Sequence, residues 1–242
     1  MSRFGRRQLV ASMLLGAAGC DASRPREGFL GAMERWNEGA QRLLFRRGLL
    51  APEEREAALT TPAAFPVYHV ADEVPPMPRG WSLRVSGLCA RPLSLSLADL
   101  QRLPRTEMRV RHHCVEGWSA VASWHGVRMS DIARACGADD RARFVEFRSF
   151  DAAEPDDDAP DDAKPVAYYS CWDRESVEHP QTLLAYGMNG RELQPAHGAP
   201  VRLYSSVKLG YKLVKYLTEV IYQPVRSGGY WEDKGYEWFA GV

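Results

Sequence analysis

One stretch decides the fold of this chain and the place of its chemistry, Arg109-Val-Arg-His-His-Cys-Val-Glu-Gly-Trp-Ser-Ala-Val-Ala-Ser-Trp-His-Gly126. Apolar and polar residues alternate up to Cys114, which predicts a strand that delivers one thiol to a turn at Glu116-Gly117. A thiolate in such a place binds a soft metal or attacks as a nucleophile, whereas a buried cysteine only fills space. Neighbouring strand residues point to opposite faces, so at most one of His112 and His113 joins Cys114 on its face.

Composition and charge exclude several classes of protein. The chain has 242 residues, of which 45% are hydrophobic, enough for a sizeable core. Lysine plus arginine equals aspartate plus glutamate, 31 each, and this balance gives no support for nucleic-acid binding. The five cysteines form no CxxC pair, which argues against a structural zinc site. No GxGxxG or P-loop motif is present, so nothing supports a Rossmann domain or an NTPase.

Residues 1–26 have the features of an export signal. Arg6-Arg7 precede an uncharged run from Leu9 to Gly19, which has the length of a signal core and is short for a membrane span. The paired arginines resemble a twin-arginine signal, which exports folded proteins to the bacterial periplasm; an ordinary secretory signal or an uncleaved anchor is the alternative. The sequence ending at Cys20 also resembles a lipoprotein cleavage box, and lipidation there stays open.

The remainder of the chain reads as a helical segment followed by one domain. Apolar residues at helical spacing predict an amphipathic helix from Glu27 to Arg47, and residues 27–61 combine it with a proline-rich linker. Packing of its apolar stripe against the main body is the favoured interpretation, and a face for an anionic membrane or an acidic subunit is the alternative. Residues 62–242 contain many short strands and few short helices. The acidic segment from Asp151 to Pro165 predicts a solvated loop rather than a calcium site.

A basic cluster near the C-terminus is a second candidate for chemistry. Its cations, within fourteen residues, are Arg202, Lys208, Lys212 and Lys215. Gly198 and Gly210 lie close by, and glycine lets backbone N–H groups approach an anion that lysine and arginine neutralise. A solvated cationic face would give the same pattern. Taken with Cys114, the cluster favours a bound anionic cofactor.

Three passages, in order, resemble the molybdopterin-binding fold of the sulfite oxidases and, within it, the bacterial periplasmic methionine-sulfoxide reductase catalytic subunits. They are Cys114-Val-Glu-Gly-Trp-Ser119, Leu183-Leu-Ala-Tyr-Gly-Met-Asn-Gly190 and His197-Gly-Ala-Pro-Val-Arg-Leu203. The resemblance extends over residues 62–242 and implies a single α+β domain of mixed sheets with short helices. It also implies a molybdenum ion held by molybdopterin, with Cys114 as the protein's thiolate ligand.

The resemblance assigns further residues to the site. The segments that hold the pterin and its phosphate in relatives contain His69, His113, Gly198, Arg202, Lys208, Gly210 and Lys212. Tyr68 is expected beside the metal, and Asp173 is a candidate proton donor, with a surface ion pair to Arg174 as its alternative role. Cys136 and Cys171 are one candidate disulfide in an oxidising periplasm, although sequence does not fix the connectivity.

Departures from the sulfite oxidases indicate the substrate. Those enzymes have an arginine in the arm where this chain has Tyr68, and the loss of a bidentate cation argues against the sulfite dianion. Aromatic residues near a metal suit a neutral or bulky substrate such as methionine sulfoxide. The expected activity is therefore oxygen-atom transfer to or from a small or protein-bound sulfoxide. A sulfite dehydrogenase and a cofactor-free binding module on the same fold are the alternatives.

The resemblance also implies a redox partner. The chain has no haem-binding CxxCH motif and no room for a haem domain, so electrons are expected from a separate protein. A quinol-oxidising cytochrome membrane subunit is what the reductase resemblance implies, with another electron carrier as the alternative. Apart from that partner we expect a monomer, because the dimerisation domain of sulfite oxidases is absent from the sequence.

Overall fold

The computed structural model describes residues 28–155 and 162–242 of the chain. The predicted export signal, with Cys20, and the centre of the acidic segment, residues 156–161, lie outside the described residues. The helices are α1 (Gly28–Leu44), α2 (Leu97–Arg102), α3 (Met129–Cys136) and α4 (Arg174–Val177), and single 3-10 turns cover Glu56–Ala58, Pro62–Ala64, Pro195–His197 and Gly210–Lys212. The strands are β1 (Leu83–Gly87), β2 (Leu93–Leu95), β3 (Arg105–His113), β4 (Ser119–Arg128), β5 (Phe144–Ala153), β6 (Val166–Asp173), β7 (Thr182–Met188), β8 (Arg191–Glu192), β9 (Arg202–Ser205) and β10 (Leu217–Gln223).

The described strands form two sheets that share one main hydrophobic core. The first sheet has the order β2-β1-β10-β5-β6, in which β1 and β10 are parallel and the other neighbours antiparallel. The second has the antiparallel order β3-β4-β7-β8, and β9 also pairs with β7. The core contains Val85 and Phe147 from the first sheet and Trp124 and Leu184 from the second. These mixed sheets with few short helices confirm the predicted α+β single-domain class.

β3 and β4 form a hairpin within the stretch that opens the sequence analysis. The two strands pair along the whole length of β3. Val110 and His112 are buried whereas Arg111 between them is exposed, as the alternation of polar and apolar residues predicts. β4 is an inner strand, and eight of its residues in succession are buried. The connection that follows β3 begins with Cys114, so the thiol is mounted at the end of a rigid hairpin.

α1 lies within the segment predicted as an amphipathic helix, but its orientation contradicts the favoured prediction. Phe29, Trp36 and Leu43 of the apolar stripe are exposed by 77%, 69% and 74%. The side that faces the body carries Glu38 and Gln41, which bond to the C-terminal part of the chain. Polar contacts rather than the apolar stripe therefore fix the helix. Among the described residues, no helix combines the length and the apolar character that crossing a membrane requires.

Candidate active site

Cys114 lies in the tight turn that joins β3 to β4. The Cys114 N–H donates to the Trp118 carbonyl at 3.0 Å, and the Gly117 N–H donates to the Cys114 carbonyl at 3.1 Å. Gly117 has φ of 88°, in the left-handed region that residues with a side chain rarely adopt. The turn holds the half-buried thiol on the wall of a cleft.

The cleft beside Cys114 contains about 960 Å³ of space between atoms, including its open mouth. Its walls combine the arm at residues 65–69, the hairpin end at 112–118, Asp151 and Tyr168 of the first sheet, residues of the segments 196–202 and 210–215, and the aromatic residues Trp231 and Tyr236. Segments that are distant in sequence therefore meet at this thiol.

His112, two residues before Cys114, is the described histidine of β3 that lines the cleft. Burial, followed by the charge of Arg202, lowers its pKa to about 3, so the ring is neutral at pH 7. Its Nδ1 is buried with no hydrogen-bond partner among the described residues. A Cβ at Gly210 would lie 2.8 Å from His112 Nε2, so this close approach requires glycine. His113, the predicted cofactor residue, does not line the cleft because its side chain leaves the strand on the other face.

Arg202 is a buried cation that lines the cleft, and no acidic residue in the described part of the chain pairs with it. Its residue is 5% exposed, and its guanidinium carbon lies 4.9 Å from the centroid of the Trp124 ring. Nη1 donates to the His197 carbonyl at 3.0 Å, whereas Nε has no hydrogen-bond partner in the described part of the chain. Burial lowers the pKa of Arg202 to about 10. Because a buried charge without a counter-ion is costly, this arrangement favours an anionic ligand.

Lys215 lines the same cleft, although the sequence assigned it only to the basic cluster and not to the cofactor. Its Nζ donates to the Ala196 carbonyl at 3.3 Å. Burial, and then the charge of Arg202, lowers its pKa to about 7, while Asp151 acts in the opposite direction. A Cβ at Gly198 would lie 2.8 Å from Lys215 Cβ and 3.3 Å from Arg202 Cβ, so glycine there makes room for both side chains. Two positive side chains from one cluster therefore meet at the cleft.

Lys208 and Lys212, both predicted to bind the cofactor, lie elsewhere. The Lys208 Nζ donates to the Phe239 carbonyl at 2.6 Å and lies 3.5 Å from Asp173 Oδ2. Lys212 forms a buried ion pair with Glu232. Neither lysine lines the cleft. Carboxylates from other segments neutralise both charges inside the protein, and a role of these lysines toward the cofactor stays a prediction.

Asp173, the predicted proton donor, is the N-cap of α4 and does not line the cleft. Its carboxylate accepts hydrogen bonds from the Ser176 N–H and the Ser176 hydroxyl, both at 2.8 Å. Arg174, its alternative partner, donates instead to Glu178 at 2.7 Å. Asp173 therefore stabilises the start of a helix and pairs with Lys208, and its role as proton donor stays a prediction.

The arm brings Tyr68 and His69 to the cleft, where both line the wall. Asp151 holds the arm, because its carboxylate accepts from the Val70 N–H at 2.9 Å and the Ala71 N–H at 3.0 Å. His69 Nδ1 donates to the Ala71 carbonyl at 2.7 Å. Asp151 is 3% exposed, so the first residue of the predicted solvated loop is in fact buried. The sequence missed Asp151 as a site residue because an acidic run conceals a single buried member.

The cysteines that the structure describes divide into one thiol in the cleft and three outside it. Burial raises the pKa of the Cys114 thiol, which lies 3.7 Å from Glu116 Oε2. The same Glu116 oxygen accepts from Trp118 Nε1 at 2.9 Å. The described free cysteines are Cys89, Cys114, Cys136 and Cys171. The candidate disulfide between Cys136 and Cys171 is therefore not formed in this structure.

Comparisons with known proteins agree on one family. The family model of the oxidoreductase molybdopterin binding domain matches residues 69–231. A protein of Azospira oryzae, provisionally named protein-methionine-sulfoxide reductase subunit YedZ1, is 36% identical over 95% of this chain and 82% of its own length. The protein-methionine-sulfoxide reductase catalytic subunit MsrP of Campylobacter jejuni is 32% identical over 64% of this chain and 53% of its own length. The chain thus spans about half of that relative.

Among solved structures, the sulfane dehydrogenase SoxCD from Paracoccus pantotrophus is similar with a TM-score of 0.51 and 20% identity. The likeness covers 60% of this chain and 38% of that chain, and it concerns the fold alone. Together with the family match, it confirms the predicted molybdopterin-binding fold. This chain belongs to the oxidoreductase molybdopterin binding domain family and is an oxidoreductase.

Proposed function

We propose that the chain reduces sulfoxides, with methionine sulfoxide as the substrate class, at a molybdenum ion that molybdopterin holds in the Cys114 cleft. The observation that carries the proposal is the meeting of a thiol with two basic side chains, the buried Arg202 and the partly buried Lys215, in one cleft. Neither cation forms an ion pair among the described residues, so the protein itself does not neutralise the site.

The residues of the cleft fit molybdopterin. Cys114 offers the soft sulfur donor that suits molybdenum, and Arg202 and Lys215 offer positive charge for a phosphate. The unpartnered Nε of Arg202 and Nδ1 of His112 are polar atoms that a bound ligand would satisfy. Gly210 supports a close approach, because a side chain there would collide with His112. When bound, the group supplies oxygen-atom transfer and a metal that changes its oxidation state.

The protein itself supplies the thiol that would bind the metal and the side chains that line the cleft. Burial keeps the Cys114 thiol protonated at neutral pH, so binding of a metal must release that proton. Glu116 lies beside the thiol as a hydrogen-bond acceptor. Tyr68, Trp231 and Tyr236 line the cleft, and aromatic rings suit a neutral and polarisable sulfur group. Arg202 is buried and Lys215 partly buried, whereas Tyr68 is exposed, so the outer part of the cleft suits a sulfoxide better than a dianion.

The names of two relatives support the substrate class and point to a partner. Both are called protein-methionine-sulfoxide reductase subunits. We infer that a separate protein delivers electrons, with a quinol-oxidising cytochrome membrane subunit ahead of other carriers. We also infer export of the folded chain to the periplasm, with residues 1–26 as signal, residues 27–61 as helix and linker, and residues 62–242 as the catalytic domain. Mass spectrometry of the mature protein tests whether Cys20 carries a lipid.

The test combines metal content with turnover. The full chain is expressed in a host that makes molybdopterin, and we expect about one molybdenum per chain and oxidation of a reduced viologen dye by methionine sulfoxide. Cys114→Ala should fold and lose turnover, because the metal loses its protein sulfur ligand. Cys89→Ala is the matched control, since that free thiol lies outside the cleft. Equal turnover in both variants would refute the role of Cys114.

Two other results would replace the proposal. Dye reduction that depends on sulfite, without sulfoxide turnover, would make the chain a sulfite dehydrogenase. Protein without metal and without pterin fluorescence after denaturation would support a cofactor-free binding module.

A further inference from the structure

The helix α1 exposes an apolar stripe that neither the cleft nor the proposed reaction uses. Its residues are exposed by 77% at Phe29, 46% at Met33, 69% at Trp36, 74% at Leu43 and 73% at Leu44. An α-helix advances about 100° per residue, so these five positions lie within about 60° of one direction. Together they form the exposed stripe, a continuous apolar surface along the whole helix. Soluble proteins rarely expose such a surface unless it binds something.

The opposite side of α1 is fixed to the body, so the helix cannot roll over to bury the stripe. The Arg226 guanidinium donates to both oxygens of Glu38, at 2.7 and 2.8 Å. The Gln41 side chain accepts from the Gly241 N–H at 3.0 Å. Phe45, one residue beyond the helix, lies on that side as well, with its ring next to buried residues of the body. Rotation of α1 would break each of these contacts.

Positive charge lies beside the exposed stripe. Arg35 and Arg46 lie on one flank, about three turns apart at helical spacing, and both are exposed, whereas Arg42 lies closer to the body. The acidic residues Glu34 and Glu38 lie on the side that faces the body, where Glu38 is paired with Arg226 and Arg42. An apolar stripe with aromatic residues and a cationic flank is the pattern of helices that lie in a membrane interface. The cations complement anionic lipid headgroups.

The sequence ahead of α1 gives a reason to choose a lipid surface as the occupant. Only eight residues, 20–27, separate the uncharged run from Leu9 to Gly19 from Gly28. A chain of that length spans at most about 30 Å, so α1 stays near a membrane whenever the run is in it. We propose that α1 lies flat on an anionic phospholipid surface, with the exposed stripe in the acyl boundary and the arginines at the headgroups. This inference does not depend on the chemistry of the cleft.

The experiment uses Trp36 as its reporter. The full chain is mixed with vesicles of phosphatidylglycerol and phosphatidylethanolamine whose acyl chains carry bromine, which quenches tryptophan fluorescence on contact. Residues 1–27 contain no tryptophan, so they cannot produce the signal. We expect quenching that disappears in Trp36→Phe, a variant that keeps the stripe apolar. Equal quenching in the wild type and in Trp36→Phe, or none in either, would overturn the proposal.

A sedimentation assay with the same vesicles measures how much the exposed stripe contributes to vesicle affinity. Phe29→Ser/Leu43→Ser removes two large apolar side chains, and we expect its vesicle affinity to fall at least about tenfold. Val166→Ser/Val225→Ser is the matched control, because these valines are exposed by 53% and 71% away from α1. Equal vesicle affinity of the two double variants would refute a role of the exposed stripe in lipid binding. A dimer that forms without lipid and is lost in Phe29→Ser/Leu43→Ser would assign the surface to a second copy instead.

Discussion

Replacement of Arg202 tests whether the cleft is built to bind an anionic ligand. The pKa of Arg202 is about 10 instead of its usual 12.5. At about 1.4 kcal/mol per pKa unit, the charged side chain destabilises the cofactor-free fold by about 3 kcal/mol. Arg202→Met keeps much of the volume and removes the charge. We therefore expect cofactor-free protein to gain about 1–3 kcal/mol in free energy of unfolding, after the loss of the bond to His197 and the contact with Trp124.

The matched control is Lys212→Met, which removes a buried cation that does have a carboxylate partner. That change leaves Glu232 buried without its counter-ion and should cost about 3–5 kcal/mol. Urea unfolding of both variants, produced in a host that lacks molybdopterin, measures the two free energies. Opposite signs are expected. If Arg202→Met is as destabilising as Lys212→Met, then Arg202 is a structural residue and the argument for an anion site fails.

Three other predictions concern the walls of the cleft. The pKa of Lys215 is lowered to about 7 in the folded protein. Between about pH 7 and 10 the unfolded chain therefore binds more protons than the folded one, and stability rises with pH. Lys215→Met should remove up to about 1.4 kcal/mol per pH unit of that slope in urea unfolding. Asp151→Asn should weaken the arm, with faster amide hydrogen exchange at residues 70 and 71, and unchanged exchange would remove Asp151 as its support. Gly210→Ala should destabilise the fold by about 1–3 kcal/mol through collision with His112. Gly39→Ala, in open space on a helix, should stabilise it by up to about 1 kcal/mol. Thermal unfolding measures both variants, and a Gly210→Ala variant as stable as the wild type would contradict the close approach of Gly210 to His112.

The hairpin around Cys114 could be predicted because its determinants are local. Alternation over β3 and the turn at Glu116-Gly117 need only neighbouring residues, and the structure has both elements at these positions. The same rule of alternation would have selected His112 over His113, because residues two apart share a face with Cys114.

The partners of the basic cluster could not be predicted from spacing. Lys212 pairs with Glu232, and Lys208 with the carboxylate of Asp173, each more than ten residues away in sequence. Arg202 and Lys215 belong to the same cluster in the sequence, but in the described part of the chain the fold places no carboxylate in an ion pair with them. The orientation of α1 was equally hidden, because hydrophobic periodicity marks one face of a helix without saying what covers it.

The partners of the buried lysines follow them in the chain, and this has a consequence for biosynthesis. Glu232 is made 20 residues after Lys212, and Phe239 is made 31 residues after Lys208. Until these partners have left the ribosome, neither lysine is stable in a dry interior, and α1 lacks its bond to residue 241. We expect closure of the protein around the two lysines to be a late step of folding on the ribosome.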